Sequence, residues 1–273
     1  MHWRIHRALL GERLPDALAW LVAQGDLVQV VEGRKRELPL PPSDWEGPGL
    51  ALTTLQDAQD LPWSLVPGVY WDRQRYDVSH YLPRLGKAVP VLNRAGAFLP
   101  VGLLDECPAW LTGDVFIRPN SGQKLFPGQT LGGATASDWA KAYRVFVNTY
   151  HLAPEVLCWC APAYATPTIE WRVWVVNRQV AAWSPYSWNA EDPAWAPLPE
   201  AVRHAAQAMA ANPWQPDIAY VADFAEVAGQ AYLLELNAAS TSGWYQVPAA
   251  ALLGALREAS LLEAAGELDY TAD

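Results

Sequence analysis

The chain has 273 residues and a formal net charge of −10 at pH 7, from 19 Lys and Arg against 29 Asp and Glu. This acidic balance excludes a general electrostatic footprint for nucleic acid or for an anionic membrane surface. Apolar residues make up 51% of the chain, so it can bury a core. No apolar run approaches the roughly 20 residues that cross a bilayer, and the first ten residues lack a signal-peptide pattern. We therefore expect a cytoplasmic protein.

The first half of the chain predicts short helices and strands joined by irregular segments. Residues 15–24 have helical spacing with a proline at the start, and residues 27–31 have the pattern of a strand. Residues 37–49 are rich in proline and predict a loop. Further elements are expected as a helix over 74–85, strands over 89–92 and 115–117, and a helix over 137–150 with Ser137 as its N-cap.

The second half predicts more strand, with one inserted helix. Strands are expected over 168–176 and 179–183, then a loop over 191–199 and a helix over 201–211 that ends at Asn212 and Pro213. A hairpin of 219–224 with 231–237 follows, and a helix over 248–264 closes the chain. The order of elements favours a mixed α+β class.

Tryptophan and cysteine are the two compositional features that need an interpretation. Fifteen tryptophans suit a core and its interfaces, while exposed rings would suit carbohydrates or bases, and we favour the core. Cys158 and Cys160 are two residues apart on a predicted strand, without histidines nearby. We expect buried free thiols there rather than a zinc site.

The last predicted hairpin carries three oxygen-bearing side chains. With the turn centred on Gly229, Asp223 and Glu235 lie opposite each other, and Asn237 shares a face with Glu235. Like charges opposite each other are destabilising unless a cation or a proton lies between them. Hard oxygen ligands suit Mg²⁺. We expect that removing either carboxylate weakens metal binding but leaves stability without metal unchanged or higher.

A second interpretation of the hairpin remains open. Glu235 could form a salt bridge with Arg172, and Asp223 could merely end a strand. A register that differs by one residue would place the two carboxylates on opposite faces of the sheet.

Two further stretches supply cations. A buried strand at 115–117 delivers Arg118 to its end, and the polar loop that follows carries Lys124. Such a loop can close over a polyphosphate, although a plain surface hairpin is also consistent with it. Alternation over 169–176 places Glu170 and Arg172 on one face. Arg172 then needs a partner, either an acid such as Glu170 or Glu235 or a phosphate of a ligand.

In their order and spacing, these stretches resemble the ATP-grasp superfamily. The resemblance is to the clade in which arginine replaces the usual strand lysine and a loop lysine lies nearby. The matching stretches are residues 116–124, 170–172, Asp223 and 235–237, with further similarity at 67–70 and 92–100. The similarity covers residues 67–245.

The resemblance implies ATP bound between two α+β subdomains, with a smaller α/β region ahead of them. We accordingly expect an N-terminal α/β domain over residues 1–112 and the ATP-grasp catalytic domain over residues 113–273.

The resemblance also implies roles for individual residues. Arg118 and Lys124 would contact the phosphates, and Arg172 would face the γ-phosphate or an acyl-phosphate. Asp223, Glu235 and Asn237 would hold one or two Mg²⁺ ions. Adenine would meet the backbone near Cys158, Trp159 and Cys160. Family members often carry a glutamate for the ribose in this segment, where this chain has Cys160, Ala161 and Pro162.

The implied activity is that of an ATP- and Mg²⁺-dependent carboxylate–amine ligase that passes through an acyl-phosphate. The substrates would be a carboxylate and an amine, on small molecules, peptides or proteins, and small hydroxyl residues in the loop 238–245 would orient the second of them. No side-chain nucleophile is needed, and the sequence offers none in a known motif. The alternatives are a nucleotide-binding protein without catalysis and a tryptophan-rich module that binds carbohydrate or bases.

Overall fold

The computed structural model describes residues 1–32, 47–59, 67–72, 74–104, 114–133, 135–164, 169–187, 191 and 193–268. The strands are β1 (His2–His6), β2 (Leu27–Val31), β3 (Gly49–Leu52), β4 (Ala97–Pro100), β5 (Val115–Pro119), β6 (Gln129–Leu131), β7 (Leu157–Pro162), β8 (Glu170–Val176), β9 (Gln179–Tyr186), β10 (Ala219–Val227) and β11 (Gln230–Ala238). The helices are α1 (Arg7–Leu10), α2 (Leu14–Ala23), α3 (Leu55–Gln59), α4 (Val78–Tyr81), α5 (Ala136–Tyr150), α6 (Glu200–Ala210) and α7 (Ala249–Ala264). The mixed α+β class is confirmed.

The N-terminal strands form a parallel sheet in the order β2-β1-β3. The central strand β1 is buried despite its polar residues, because the Arg4 Nε donates to Gln29 Oε1 at 2.7 Å on the neighbouring strand. Helix α2 and strand β2 form where the sequence predicts them. The carboxyl end of this sheet meets the segment after β11, where the Thr53 N–H donates to the carbonyl of Ser240 at 2.7 Å.

A four-stranded antiparallel sheet in the order β11-β10-β8-β9 forms the centre of the molecule. Helix α6 packs with Val173, Phe224 and Leu233 on one face, and helix α7 and the N-terminal sheet pack with Trp174 and Val221 on the other. Burial of both faces explains the nearly continuous apolar sequences of β8 and β10. Polar side chains in these two strands therefore need a partner.

A second antiparallel sheet has the order β4-β7-β5-β6 and packs against helix α5. Alternation along β5 places Val115 and Ile117 in this core, and leaves Arg118 on the other face. Helix α5 begins one residue earlier than expected, and its N-cap is Thr135 rather than Ser137. Thr135 forms a capping box with Asp138, which satisfies donors at both positions.

The hairpin of β10 and β11 has a two-residue turn and a β-bulge. Ala228 and Gly229 both have positive φ, +52° and +78°, as a tight turn between twisted strands requires. The turn is thus centred between these residues and not on Gly229 as we expected. Phe224 pairs with Leu233 but Asp223 pairs with Glu235, so Leu234 is an extra residue in β11. The bulge restores the opposition of Asp223 and Glu235 that the sequence predicts.

Several sequence-based boundaries differ from the structure. The helix expected over 74–85 is only the short α4, followed by a 3-10 turn that contains Pro83. Residues 89–92 form no strand but a single bridge between Val91 and Leu233. Most of the expected loop over 37–49 lies outside the described residues, as does the domain boundary between 112 and 113. Two of the three hydrophobic clusters contain residues from both sides of that boundary, and the two-domain division remains a prediction.

Tryptophans in the described part of the chain lie mostly in the interior, as favoured above. Seven are buried, which argues against an exposed array for carbohydrates or bases: Trp3, Trp71, Trp139, Trp159, Trp171, Trp174 and Trp244. Cys158 and Cys160 are buried free thiols, and burial raises the pKa of Cys158 to about 12. Within the described ranges, no helix is long and apolar enough to span a membrane.

Candidate functional site

Asp223 lies at the middle of the central sheet, between two residues that the sequence singles out. It is opposite Arg172 on β8 and opposite Glu235 on β11. The predicted cross-strand opposition of the two carboxylates is therefore confirmed. All three side chains lie on the sheet face that also packs against the N-terminal sheet, close to the loop that follows β11.

Arg172 and Asp223 form a bidentate salt bridge in the interior. The Arg172 Nε and Nη2 donate to the two carboxylate oxygens at 3.0 and 2.8 Å, and the Asp223 side chain has no exposed surface. Neither partner that the sequence suggested, Glu170 or Glu235, pairs with this guanidinium, and Asp223 does not end a strand. Removal of the Asp223 charge would leave a buried guanidinium unpaired, which reverses the stability expected for that substitution.

Glu235 joins the two antiparallel sheets through two cations. Its Oε2 accepts from the Arg118 Nη2 at 3.1 Å, and its Oε1 accepts from the Lys124 Nζ at 2.9 Å. Burial alone would raise the pKa of Glu235, but the charges of Lys124 and Arg118 and the hydrogen bond from Asn237 outweigh burial and hold that pKa well below its usual value. Glu235 is a carboxylate at neutral pH.

Asn237 bridges the two carboxylates. Its Nδ2 donates to Asp223 Oδ2 at 2.8 Å and to Glu235 Oε1 at 2.9 Å. Two oxygens from different strands thus converge on one electropositive atom, which is the arrangement that a cation would also satisfy. The predicted grouping of Asp223, Glu235 and Asn237 on one face is confirmed, and metal binding by them remains a prediction.

The loop that carries Lys124 is held against the start of α4. The Gly122 N–H donates to Asp77 Oδ1 at 3.1 Å, and the Asn120 Oδ1 accepts from the Ser79 N–H at 2.8 Å. A side chain at Gly122 would approach the Tyr76 Cβ to 2.8 Å, so close packing requires glycine there. Asp77 was not identified from the sequence, because its role depends on contacts across 45 residues.

Strand β7 contains the residues that the resemblance places near adenine. Cys158, Trp159 and Cys160 are buried and are paired on both edges, with β4 and with β5. Pairing with β4 ends at Cys160, which leaves one edge of Ala161 and Pro162 without a strand. Backbone groups for adenine are therefore available at the end of β7 rather than at Cys158 or Trp159. Adenine contact itself remains a prediction.

Two tyrosines that the sequence did not single out surround Arg172. The rings of Tyr186 and Tyr245 are stacked with centroids 4.7 Å apart, and the Arg172 Cζ lies 5.3 and 5.0 Å from their centroids. The remaining contact of this guanidinium is from Nη1 to the carbonyl of Gly243 at 3.2 Å. Arg172 thus connects the Asp223 carboxylate to the loop after β11.

An open cleft of about 400 Å³ begins at these residues and extends towards the N-terminal sheet. One wall is apolar and aromatic, with Leu55, Trp71, Tyr76, Leu236 and Ala238. The polar wall contains Lys124, Arg172, Asn237, Thr241 and Ser242. Thr241 and Ser242 belong to the loop for which the sequence suggested contacts with a substrate.

The five ionisable groups of the site suit a polyanion together with a divalent metal. Arg118, Lys124 and Arg172 against Asp223 and Glu235 leave one excess positive charge, 3 − 2 = +1. In the described residues, no group of three or more His, Cys, Asp or Glu side chains could hold a metal on its own. A metal here would rely on two carboxylates, an amide oxygen and further oxygens from a ligand, as Mg²⁺ commonly does.

Comparison with known families and structures agrees with this geometry. A family model described as an ATP-grasp domain, the third family of its clade, matches residues 71–256. No curated protein sequence matches the chain.

Three solved structures resemble nearly the whole chain. They are D-alanine–D-alanine ligase from Bacillus anthracis complexed with ATP (TM-score 0.61, 13% identity, covering 98% of this chain and 99% of that one), a RimK domain ATP-grasp protein from Sphaerobacter thermophilus (0.60, 13%, 97% and 98%), and the ATP-grasp ligase PsnB with a minimal precursor, Mg and ADP (0.55, 14%, 95% and 97%). At such identities the likeness concerns the fold. With a family match over more than half of its length, this chain belongs to that ATP-grasp domain family and has the ATP-grasp fold.

Proposed function

We propose that this protein is an ATP- and Mg²⁺-dependent ligase that activates a carboxylate as an acyl-phosphate for attack by an amine. The observation that carries the proposal is the position of Glu235. It lies between two cations from one sheet, Arg118 and Lys124, and beside Asp223 and Asn237 of the other. Phosphoryl transfer needs mainly positioning and neutralisation of charge, and these groups supply both.

In this proposal Arg118 and Lys124 bind the phosphates, and Asp223, Glu235 and Asn237 hold Mg²⁺. The metal would neutralise charge on the transferring phosphoryl group. Arg172 faces the γ-phosphate end. Three of its five N–H donors are already used by Asp223 and Gly243, and the other two are available to a ligand.

The reaction balances without a protein nucleophile. A carboxylate oxygen attacks the γ-phosphorus, the bond from phosphorus to the bridging oxygen breaks, and ADP leaves. The amine nitrogen then attacks the acyl carbon, the bond from that carbon to the phosphate oxygen breaks, and phosphate leaves while the amine loses a proton. Solved relatives whose titles name ATP, or Mg and ADP, support this choice of ligands.

The test uses hydroxylamine as a general amine. The protein is incubated with MgATP, hydroxylamine and a panel of amino acids, peptides and simple carboxylic acids, and both ADP and hydroxamate are measured. We expect ADP and hydroxamate in equal amounts for at least one acid. ATP binding by calorimetry with no ADP from any acid would favour the non-catalytic nucleotide-binding alternative, which the absence of a glutamate at Cys160, Ala161 and Pro162 motivates.

A further inference from the structure

The cleft beside Arg172 has an uneven distribution of charge. Among the described residues that line it, two are cations, Lys124 and Arg172, and none is an aspartate or a glutamate. The nearest carboxylates, Asp223 and Glu235, are already paired with cations. A ligand with an ammonium group would find no free carboxylate in this lining, whereas a carboxylate would find donors.

The opposite wall of the cleft is apolar. Leu55, Trp71, Leu236 and Ala238 present hydrocarbon surface, and Trp71 is 3% exposed. The indole Nε1 of Trp71 is buried and has no hydrogen-bond partner among the described residues. A buried donor without a partner is costly, and a ligand oxygen would satisfy it. The volume of about 400 Å³ is at the lower end of the range for small-molecule sites.

We infer that this cleft binds the carboxylate substrate, and that this substrate is a compact acid with an apolar or aromatic body. The inference rests on the proposed function and gives the chemical class of its first substrate. The carboxylate lies at the Lys124 and Arg172 end, where it can reach the γ-phosphorus. The apolar body lies against Leu55 and Trp71, away from the nucleotide.

The test measures binding with matched probes. Calorimetric titrations use 3-phenylpropionate, 2-phenylethylamine and acetate, each without nucleotide and with Mg²⁺ and a non-hydrolysable ATP analogue. We expect 3-phenylpropionate to bind at least about 10-fold more tightly than either of the others, because it alone combines the charge and the apolar body. Tighter binding of the amine, equal binding of acetate, or no binding of 3-phenylpropionate under both conditions would overturn the inference.

Two variants at one position separate charge from shape. Thr241→Glu adds a carboxylate to the polar wall, and Thr241→Gln adds a neutral side chain of the same size. The Glu variant should bind 3-phenylpropionate at least about 10-fold more weakly than the Gln variant, since like charges repel at short range. Equal affinities in the two variants would contradict the inference.

Failure of the inference and failure of the proposed function give different results. If the protein does not catalyse ligation, 3-phenylpropionate still binds but no ADP is released with any acid. If the inference alone is wrong, ADP is released, but only with acids that lack an apolar body, and 3-phenylpropionate does not bind.

Discussion

The Arg118 Nη2 lies 3.1 Å from Oε2 of Glu235, and this contact joins strand β5 of one antiparallel sheet to strand β11 of the other. The Nη1 of the same guanidinium donates to the carbonyl of Leu234 at 3.1 Å. Arg118 therefore holds both the carboxylate and the bulge that directs it. A phosphate that binds Arg118 has to compete with Glu235, so nucleotide and metal binding at this site should be interdependent.

The two carboxylates should differ in stability when they are neutralised. We expect Asp223→Asn and Glu235→Gln both to lower turnover by at least about 100-fold, since a bound metal is worth several kcal/mol. Asp223→Asn should also destabilise the protein by about 3 kcal/mol or more, because it leaves Arg172 buried and unpaired. Glu235→Gln should cost only about 1 kcal/mol. Denaturant unfolding of both variants measures the difference, and equal stabilities would contradict the salt-bridge argument.

Lys124 should matter for nucleotide binding far more than for folding. Its side chain is 39% exposed, so Lys124→Ala should change stability by less than about 1 kcal/mol. The KM for ATP should rise about 10-fold or more, as expected for loss of a charged hydrogen bond. Lysine and alanine both carry a Cβ, so the positive φ of +53° at this position strains them alike. Lys141→Ala, an exposed change on α5, is the control, and equal KM values for the two variants would return the loop to a plain surface hairpin.

Acid should remove the contribution of Glu235 to stability. The pKa of Glu235 is lower in the folded protein than its usual value of 4.5, so its contribution is complete above that value and is lost as the pH falls below it. The difference in melting temperature between wild type and Glu235→Gln should therefore shrink as the pH falls from about 5 to about 3. Glu200→Gln, at a largely exposed position on α6, is the control. A wild-type difference that stays constant over this range would contradict the ion-pair assignment.

Asp217 should show the opposite dependence on pH. Burial raises the pKa of Asp217 well above its usual value, and the neighbouring Glu263 raises it further, although the hydrogen bond from the Ile218 N–H opposes the shift. A carboxyl group of this kind loses stability as the pH rises from its unfolded-state pKa through its folded-state pKa. Asp217→Asn should therefore stabilise the protein more at pH 8 than at pH 5, while Asp16→Asn on the exposed face of α2 should not. Thermal melts at the two pH values decide the outcome.

Patterns within one stretch of chain predicted much of the fold and the site. The alternation of β8 and the hairpin residues were sufficient to place Arg172, Asp223, Glu235 and Asn237 on one face, and residues 27–31 form the predicted strand. Strand β1 was missed, because its Arg4 and His6 are polar yet buried, and only the neighbouring strands make that burial acceptable.

Features that depend on distant contacts could not be read from local patterns. The Asp223 partner of Arg172 is 51 residues away, and the support of the Lys124 loop by Asp77 spans 45 residues from Gly122. Residues 89–92 have the composition of a strand but form only one bridge. The cleft wall at Leu55 and Trp71 comes from segments that carry no motif.

The extra residue Leu234 gives the spacing between turn and acid a diagnostic value. If β11 were one residue shorter, the same hairpin would close in regular register, and the acid would face the apolar side covered by α6. A relative could then keep every charged residue and still have no metal site. When other members of this family are compared, the number of residues from Gly229 to the first carboxylate should distinguish active from inactive chains better than the identity of that carboxylate alone.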